Sequence, residues 1–194
     1  MSESPKLHLA STSPRRREIL ASLGLDFDVV PVDVDETPFD GESPADMALR
    51  LSVAKAEAAE MGAGGIALGS DTVVVVDDRA LGKPRNRDDG LRMLRSLSGR
   101  AHRVLTGVAV SDGRRTLTAL SATDVYFREI GRDEALAYWQ SGEPRDKAGA
   151  YAIQGLGGAF VERIEGSYTG VVGLPVFETI ELLRAAGIDV LARQ

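Results

Sequence analysis

Asp71 stands in the segment GSDTVV at 69–74, next to a valine run that reads as a buried strand. A carboxylate buried there without a partner would cost roughly several kcal/mol, so it pairs with a cation, caps a turn or takes part in chemistry. Glu36 in DVDETP, Lys55 on the border of an apolar stripe and Lys83 in GKP are each surface residues by default. The segment STSPRRR at 11–17 puts cations in an unusual place. Arg15, Arg16 and Arg17 fall in the first turn of a helix, where the macrodipole is already positive and each works against it by about a few tenths of a kcal/mol. A bound anion reverses that sign, because the Ser11 and Ser13 hydroxyls, free backbone N–H groups and two or three guanidiniums form a pocket suited to phosphate oxygens. The alternative is a solvated basic turn. Taken together, carboxylates at Glu36 and Asp71 with cations at Arg15, Arg16, Lys55 and Lys83 supply the parts for holding a polyphosphate, a hard divalent cation and an attacking water.

Other chemistries lack their residues. LGKP has neither the upstream glycine nor the following Ser/Thr of a P-loop, and GLGGAF neither completes G-x-G-x-x-G nor follows a strand in a βαβ unit. There is no G-x-S-x-G element, and no cysteine accompanies the two histidines, His8 and His102, so thiolate and histidine zinc sites have no ligand set. A length of 194 residues with 43% hydrophobic content suffices for one domain with a sizeable core. The net charge of −6 argues against a general nucleic-acid binder, which needs a basic face. Any phosphate ligand is therefore expected to be small and held at a local cluster. The lack of cysteine suits a reducing compartment. No signal-peptide pattern opens the chain, and the longest aliphatic run, VVVV at 73–76, is far too short to span a bilayer. The expected setting is the cytoplasm, with no membrane partner.

The elements that must position these residues follow from pattern. KLHLAS reads as a short buried strand leading into a helix with Ser13 at the N-cap and Pro14 at its first position, stopping at Gly24. DFDVVP at 26–31 reads as a second strand, and an acidic loop carries Glu36 to a longer helix capped by Ser43, with Asp46 three residues on. Its apolar stripe is predicted at Met47, Leu51, Ala54, Ala58 and Met61, with Arg50 and Lys55 on opposite borders aiming their charges into a cleft. GIALGSDTVVVVD is predicted as a central strand covered on both faces, and DDRALGKP as a turn. Asn86 caps a helix ending at Gly99, and two long strands meet at a hairpin marked by Asp112-Gly113. A short helix carries Tyr138 and Trp139. The glycine-rich stretch SGEPRDKAGAYAIQGLGGAF is predicted as one long loop, of a length that is functional or disordered. FVERIEGSY supplies a strand, and Pro175 starts a last helix using Val176, Ile180 and Leu183. The fold class is α/β with a mixed sheet, one domain over 1–194, with no linker dividing it.

A run of short motifs then takes on joint significance: SxSPRR at Ser11 to Arg16, DE ending in Glu36, R....KA at Arg50 to Ala56, SDT at Ser70 to Thr72 and GKP at 82–84. It continues with LSG..H.V.TGV at 97–108, DKAGAYAIQG at 146–155 and GSYTGVVGLP at 166–175. In this order, from Leu7 to Leu183, the chain closely resembles the Maf proteins, nucleotide pyrophosphatases also described as septum-formation inhibitors. The resemblance implies a fold akin to the inosine-triphosphate pyrophosphatases, a mixed central sheet with flanking helices and two lobes about a cleft. It implies hydrolysis of a nucleoside triphosphate to monophosphate and pyrophosphate, a divalent metal such as Mg²⁺ or Mn²⁺, and a homodimer.

By the same resemblance Asp71 is the general base or a metal ligand, Glu36 helps hold the metal, and Lys55, Lys83 and Arg16 neutralise phosphate charge. Ser11, Ser13, Arg15, Arg16, Thr72 and Gln154 would bind substrate. Arg15, Thr72 and Gln154 mark the subgroup that acts on dTTP and UTP, which makes modified pyrimidine triphosphates further substrates and implies a link to arrest of septum formation. The subgroup acting on 7-methyl-GTP carries different residues there, including an aromatic one after SP. A non-catalytic regulator of cell division is the rival reading, and it would need an apolar patch or basic stripe that the sequence does not offer. Gly170 departs from the Asn of many relatives, which bears on local loop geometry alone.

Overall fold

The valine run at 73–76 lies in a strand of one seven-stranded sheet. The computed structural model describes residues 5–191. Its elements are β1 (Leu7–Leu9), α1 (Pro14–Ser22), β2 (Phe27–Val29), α2 (Pro44–Glu57), β3 (Ile66–Val76), β4 (Arg79–Leu81), α3 (Arg87–Leu97), β5 (Ala101–Ser111) and β6 (Thr116–Phe127). They continue with α4 (Arg132–Gln140), β7 (Val161–Glu165), α5 (Tyr168–Val172) and α6 (Val176–Ala185). The strand order is β2-β1-β3-β5-β6-β7, with β4 paired to β3 off this path. β1 runs parallel to both β2 and β3, and all other pairings are antiparallel, so the sheet is mixed as predicted. No helix among the described residues is long and apolar enough to cross a membrane.

The alternation of β3 sorts its side chains between two layers. Leu68 packs with β1, α1, β5 and α6 in one apolar cluster around Leu9, Leu20, Val108, Leu174 and Leu183. Val74, on the same face but toward the other end, joins a second cluster with Leu94, Leu97, Tyr138, Tyr151 and Phe160. Strands β3 and β5 therefore run through both clusters. The opposite face of β3, carrying Gly69, Asp71 and Val73, lies under α2.

Helix α2 rests closer to the sheet than its sequence pattern suggests, and its stripe is rotated from the predicted one. The buried positions are Ala48, Leu51, Ser52 and Ala56, whereas Ala58 is exposed and Met61 lies beyond the helix end. Two glycines cause this. A Cβ on Gly69 would stand 2.2 Å from the Ser52 carbonyl oxygen, and one on Gly107 would stand 2.3 Å from that of Ala48. With bare backbone beneath it, the helix presents its smallest face to the sheet and turns Met47 toward a cleft.

Several local expectations change in detail. DDRALGKP is a tight hairpin containing β4, with Asp77 and Asp78 both at positive φ, the conformation of a two-residue hairpin turn more often filled by Asn-Gly. The long glycine-rich segment is ordered into three short 3₁₀ turns over 143–146, 148–150 and 156–160. Helix α5 was not legible as a separate element, because five residues are too few to show a period. Ser43 and Asn86 cap α2 and α3 as predicted, accepting from Asp46 N at 3.1 Å and Asp89 N at 3.0 Å. Ser13 occupies the α1 N-cap without bonding through its side chain, and its own N–H donates to Ser11 Oγ at 3.2 Å instead.

Candidate active site

The strand order reverses at β1, with β2 on one side and β3 on the other, and in open α/β sheets ligands sit beyond the carboxyl ends of strands at such a point. Here the reversal also leaves a gap. β1 pairs with β3 only as far as Leu9↔Leu68, and β4 begins its pairing at Val74↔Leu81. Between them, among the described residues, no strand pairs with the edge of β3 from Gly69 to Val73 on that side. A cleft of about 950 Å³ opens along this edge.

Asp71 sits at the middle of the gap and is 9% exposed. Burial raises its pKa above the ordinary carboxylate value, and the charges of Lys55 and Arg16 only partly oppose that. Lys55, in the last turn of α2, reaches over the strand so that its Nζ lies 2.7 Å from Asp71 Oδ1 and 2.6 Å from Glu36 Oε1. The two carboxylates thus converge on one ammonium group. Glu36, half exposed, is pushed up by burial but held below its ordinary value by the Lys55 hydrogen bond and the charges of Lys55, Lys83 and Arg16.

Across the gap, Arg16 is fixed by three acceptors: Gly173 O at 2.8 Å, Ser11 Oγ at 3.3 Å and Thr72 Oγ1 at 3.4 Å. Burial pulls its pKa down and Asp71 works against the shift. Arg15 lines the same wall, its pKa lowered by burial and opposed by the charge of Asp146 from the glycine-rich segment. Thr106 Oγ1 braces Thr72 from below, 3.1 Å from Thr72 Oγ1 and 2.8 Å from Gly170 O. A Cβ on Gly170 would come to 3.1 Å from the Ser167 side chain, so glycine suits this turn as built.

Ser11, Ser13, Arg15, Arg16, Glu36, Lys55, Asp71, Thr72, Lys83 and Gln154 all line this one cleft. Lys83, exposed, overhangs it from the loop after β4, and Gln154 stands exposed at its rim. Two residues go elsewhere. Arg17 is exposed and outside the cleft. Arg50 does not aim into the cleft as expected: it binds Glu42 at 2.5 and 2.8 Å, donates to Thr37 O at 3.1 Å and stacks on Phe39 at 4.0 Å. It braces the acidic loop that carries Glu36, because the rotated α2 turns it toward that loop. Glu143, Asp146, Lys147 and Tyr151 also line the cleft and were not singled out from sequence. The length of their segment was the available signal.

Residues 6–186 match the family model described as Maf-like protein. A dTTP/UTP pyrophosphatase of Vibrio parahaemolyticus is 53% identical over 186 residues, covering 95% of this chain and 98% of that protein. A dTTP/UTP pyrophosphatase of Saccharophagus degradans is also 53% identical, over 96% of this chain and 91% of its own length. Among solved structures, a HAM1 protein from Coxiella burnetii aligns at 17% identity and a TM-score of 0.46, covering 63% of this chain and 73% of that one.

Proposed function

This chain belongs to the Maf-like protein family, and on that premise we propose that it hydrolyses dTTP and UTP to the nucleoside monophosphate and pyrophosphate. The observation that carries the reading is the placement of Asp71, a buried carboxylate at an unpaired strand edge, in a cleft lined by Arg15, Arg16, Lys55 and Lys83. Lys147, Glu143 and Asp146 line the cleft as well, with Lys147 bonded to Asp146, and the four cations Arg15, Arg16, Lys55 and Lys83 around Glu36 and Asp71 fit a ligand of high negative charge; the identity to the pyrophosphatases supports the same chemistry here.

In this reading the triphosphate lies between the start of α1 and Lys83. Arg16, held rigid by its three acceptors, neutralises phosphate charge without needing to reorganise. Asp71 takes a proton from water as the water oxygen attacks the α-phosphorus. The bond from that phosphorus to the bridging oxygen breaks, and pyrophosphate leaves with the charge held by the cations. A raised pKa makes Asp71 a stronger base than an exposed aspartate, while Lys55 keeps it ionised. Glu36 and Asp71 also suit a hard divalent cation by donor type, through the carboxylate oxygens that do not bond Lys55, since Oε1 and Oδ1 are taken by its ammonium. Among the described residues no third acidic or histidine ligand joins them, so phosphate oxygens and water would complete the shell. Mg²⁺ or Mn²⁺ held there would offset charge on the phosphate oxygens. Arg15, Thr72 and Gln154 serve base selection in this reading, a Thr hydroxyl and a Gln amide offering both donors and acceptors to a pyrimidine edge. The family resemblance supports a homodimer as well, which sedimentation would read.

The test is pyrophosphate release from dTTP, UTP, dATP, dGTP and 7-methyl-GTP with Mg²⁺ or Mn²⁺. Preference for dTTP and UTP is expected. Equal hydrolysis of 7-methyl-GTP removes the base assignment, and no release from any of them removes the enzyme.

A further inference from the structure

Gln154 occupies the third position of a β-turn, Ala152 to Gly155, closed by Gly155 N donating to Ala152 O at 3.2 Å. The tip of such a turn is exposed, and nothing about Gln154 itself fixes its place. What surrounds the turn does. On the side before it, Ala152 N donates to Tyr138 Oη at 3.1 Å. On the side after it, Leu156 N donates to Glu143 Oε2 at 3.0 Å and Gly157 N donates to Glu143 Oε1 at 3.0 Å. Tyr138 Oη in turn donates to Glu143 Oε1 at 2.7 Å. Both legs of the turn are thus tied to one carboxylate, directly or through one phenol.

The fit around that carboxylate is close. A Cβ on Gly155 would lie 2.2 Å from Glu143 Oε2, and one on Gly157 would lie 2.5 Å from Tyr138 Oη. Two glycines are therefore required for the chain to wrap the clasp. The hydrogen bonds from Gly157, Tyr138 and Leu156 hold the Glu143 carboxyl below its ordinary pKa against the opposing effect of burial, so it is an ionised acceptor near neutrality. Tyr138 is anchored by its ring, 5% exposed and packed edge-on against Phe160. Tyr138 belongs to α4 and Glu143 to the 3₁₀ turn that follows it, while the turn they hold lines the cleft.

We propose that Glu143 is a positioning residue for base recognition: its carboxylate holds the Ala152–Gly155 turn so that Gln154 meets the nucleobase in one geometry. The inference rests on the pyrimidine pyrophosphatase reading above and deepens it. Glu143 lines the cleft bonded to the segment that carries Gln154, and in this reading takes no part in the attack at phosphorus. Its loss should therefore act on discrimination and KM, leaving kcat for the preferred substrate nearly intact.

Glu143→Gln removes the charge and turns an amide N–H₂ toward backbone donors. It is expected to lower the ratio of kcat/KM for UTP over dGTP by about tenfold, chiefly through KM. In a Gln154→Ala background the same substitution should change the ratio by less than about twofold, because the two residues act through one contact. Amide exchange at Leu156 and Gly157 should quicken by about tenfold or more in Glu143→Gln. If that variant does not fold, Tyr138→Phe removes only the link between Ala152 and the carboxylate and should shift the ratio the same way by less. A selective wild type whose ratio is unchanged in these variants, or equal loss of kcat for every base, overturns the role of Glu143 alone. A wild type that releases no pyrophosphate from any triphosphate overturns the functional reading, and this inference with it.

Discussion

Asp71 combines burial with a lysine partner, and the two pull its protonation in opposite directions. Asp71→Asn keeps size and polarity but removes the basic oxygen, so turnover should fall by about 10²–10⁴-fold in a folded protein, read by pyrophosphate release. Lys55→Gln should move the acid limb of the kcat/KM profile to higher pH, because Lys55 is what holds the Asp71 pKa down; an unmoved limb would mean that another group titrates. The same raised pKa has a consequence for stability. A carboxyl that is harder to ionise when folded than when unfolded opposes folding once the pH exceeds its folded value, and the opposition vanishes below the unfolded value. Asp71→Asn should therefore melt above the wild type at neutral pH, with the gap closing as the pH falls below the ordinary aspartate range. At the rim, Gln154→Glu and Arg15→Trp should each shift the ranking of UTP against 7-methyl-GTP; a ranking that neither moves would strip both of a role in base choice.

At the scale of elements, the site depends on how closely α2 approaches the sheet. Gly107→Ala would force Ala48 and its helix outward, at a cost of about 1–3 kcal/mol, and carry Lys55 away from Asp71. Activity well below the new melting temperature should drop along with stability. Gly90→Ala provides the contrast: its Cβ would strike Trp139 at 2.3 Å between α3 and α4, away from the cleft, so stability should fall while kcat holds. These glycines also show where sequence reading stops. Strand β3, the caps at Ser43 and Asn86 and the Asp112-Gly113 hairpin are local features with local signals, and they were legible. The face of α2 was not, because its pattern has apolar residues on several sides and the choice among them is made by Gly69 and Gly107, on other elements. Arg50 was misjudged for the same reason. The charged set was readable from residue type and motif order, whereas the Glu143 clasp was not, since it joins the end of α4, a 3₁₀ turn and two loop glycines that share no periodic pattern.

For the whole molecule, a chain of net charge −6 gathers five cations and four carboxylates in one cleft, so the cleft is positive where the rest is negative. That contrast directs small polyanions to the cleft and offers long ones no basic track. Raising ionic strength should lower kcat/KM about severalfold through KM, leaving kcat nearly constant, because screening acts on the approach of the triphosphate and not on bound groups. Treatment with EDTA should abolish turnover and added Mg²⁺ restore it; full activity after exhaustive chelation would remove the metal from the reading. The two apolar clusters lie toward opposite ends of β3, yet β3 and β5 pair over nine consecutive positions and supply side chains to both. Neither cluster can lose its strands without unmaking the other. Heat should therefore melt the chain in one cooperative step, with calorimetric and van't Hoff enthalpies in agreement, and two resolved peaks would show that the halves melt separately. Cooperativity of that kind means that a chain with half a site formed has no appreciable population, so the two walls of the cleft arise and disappear together.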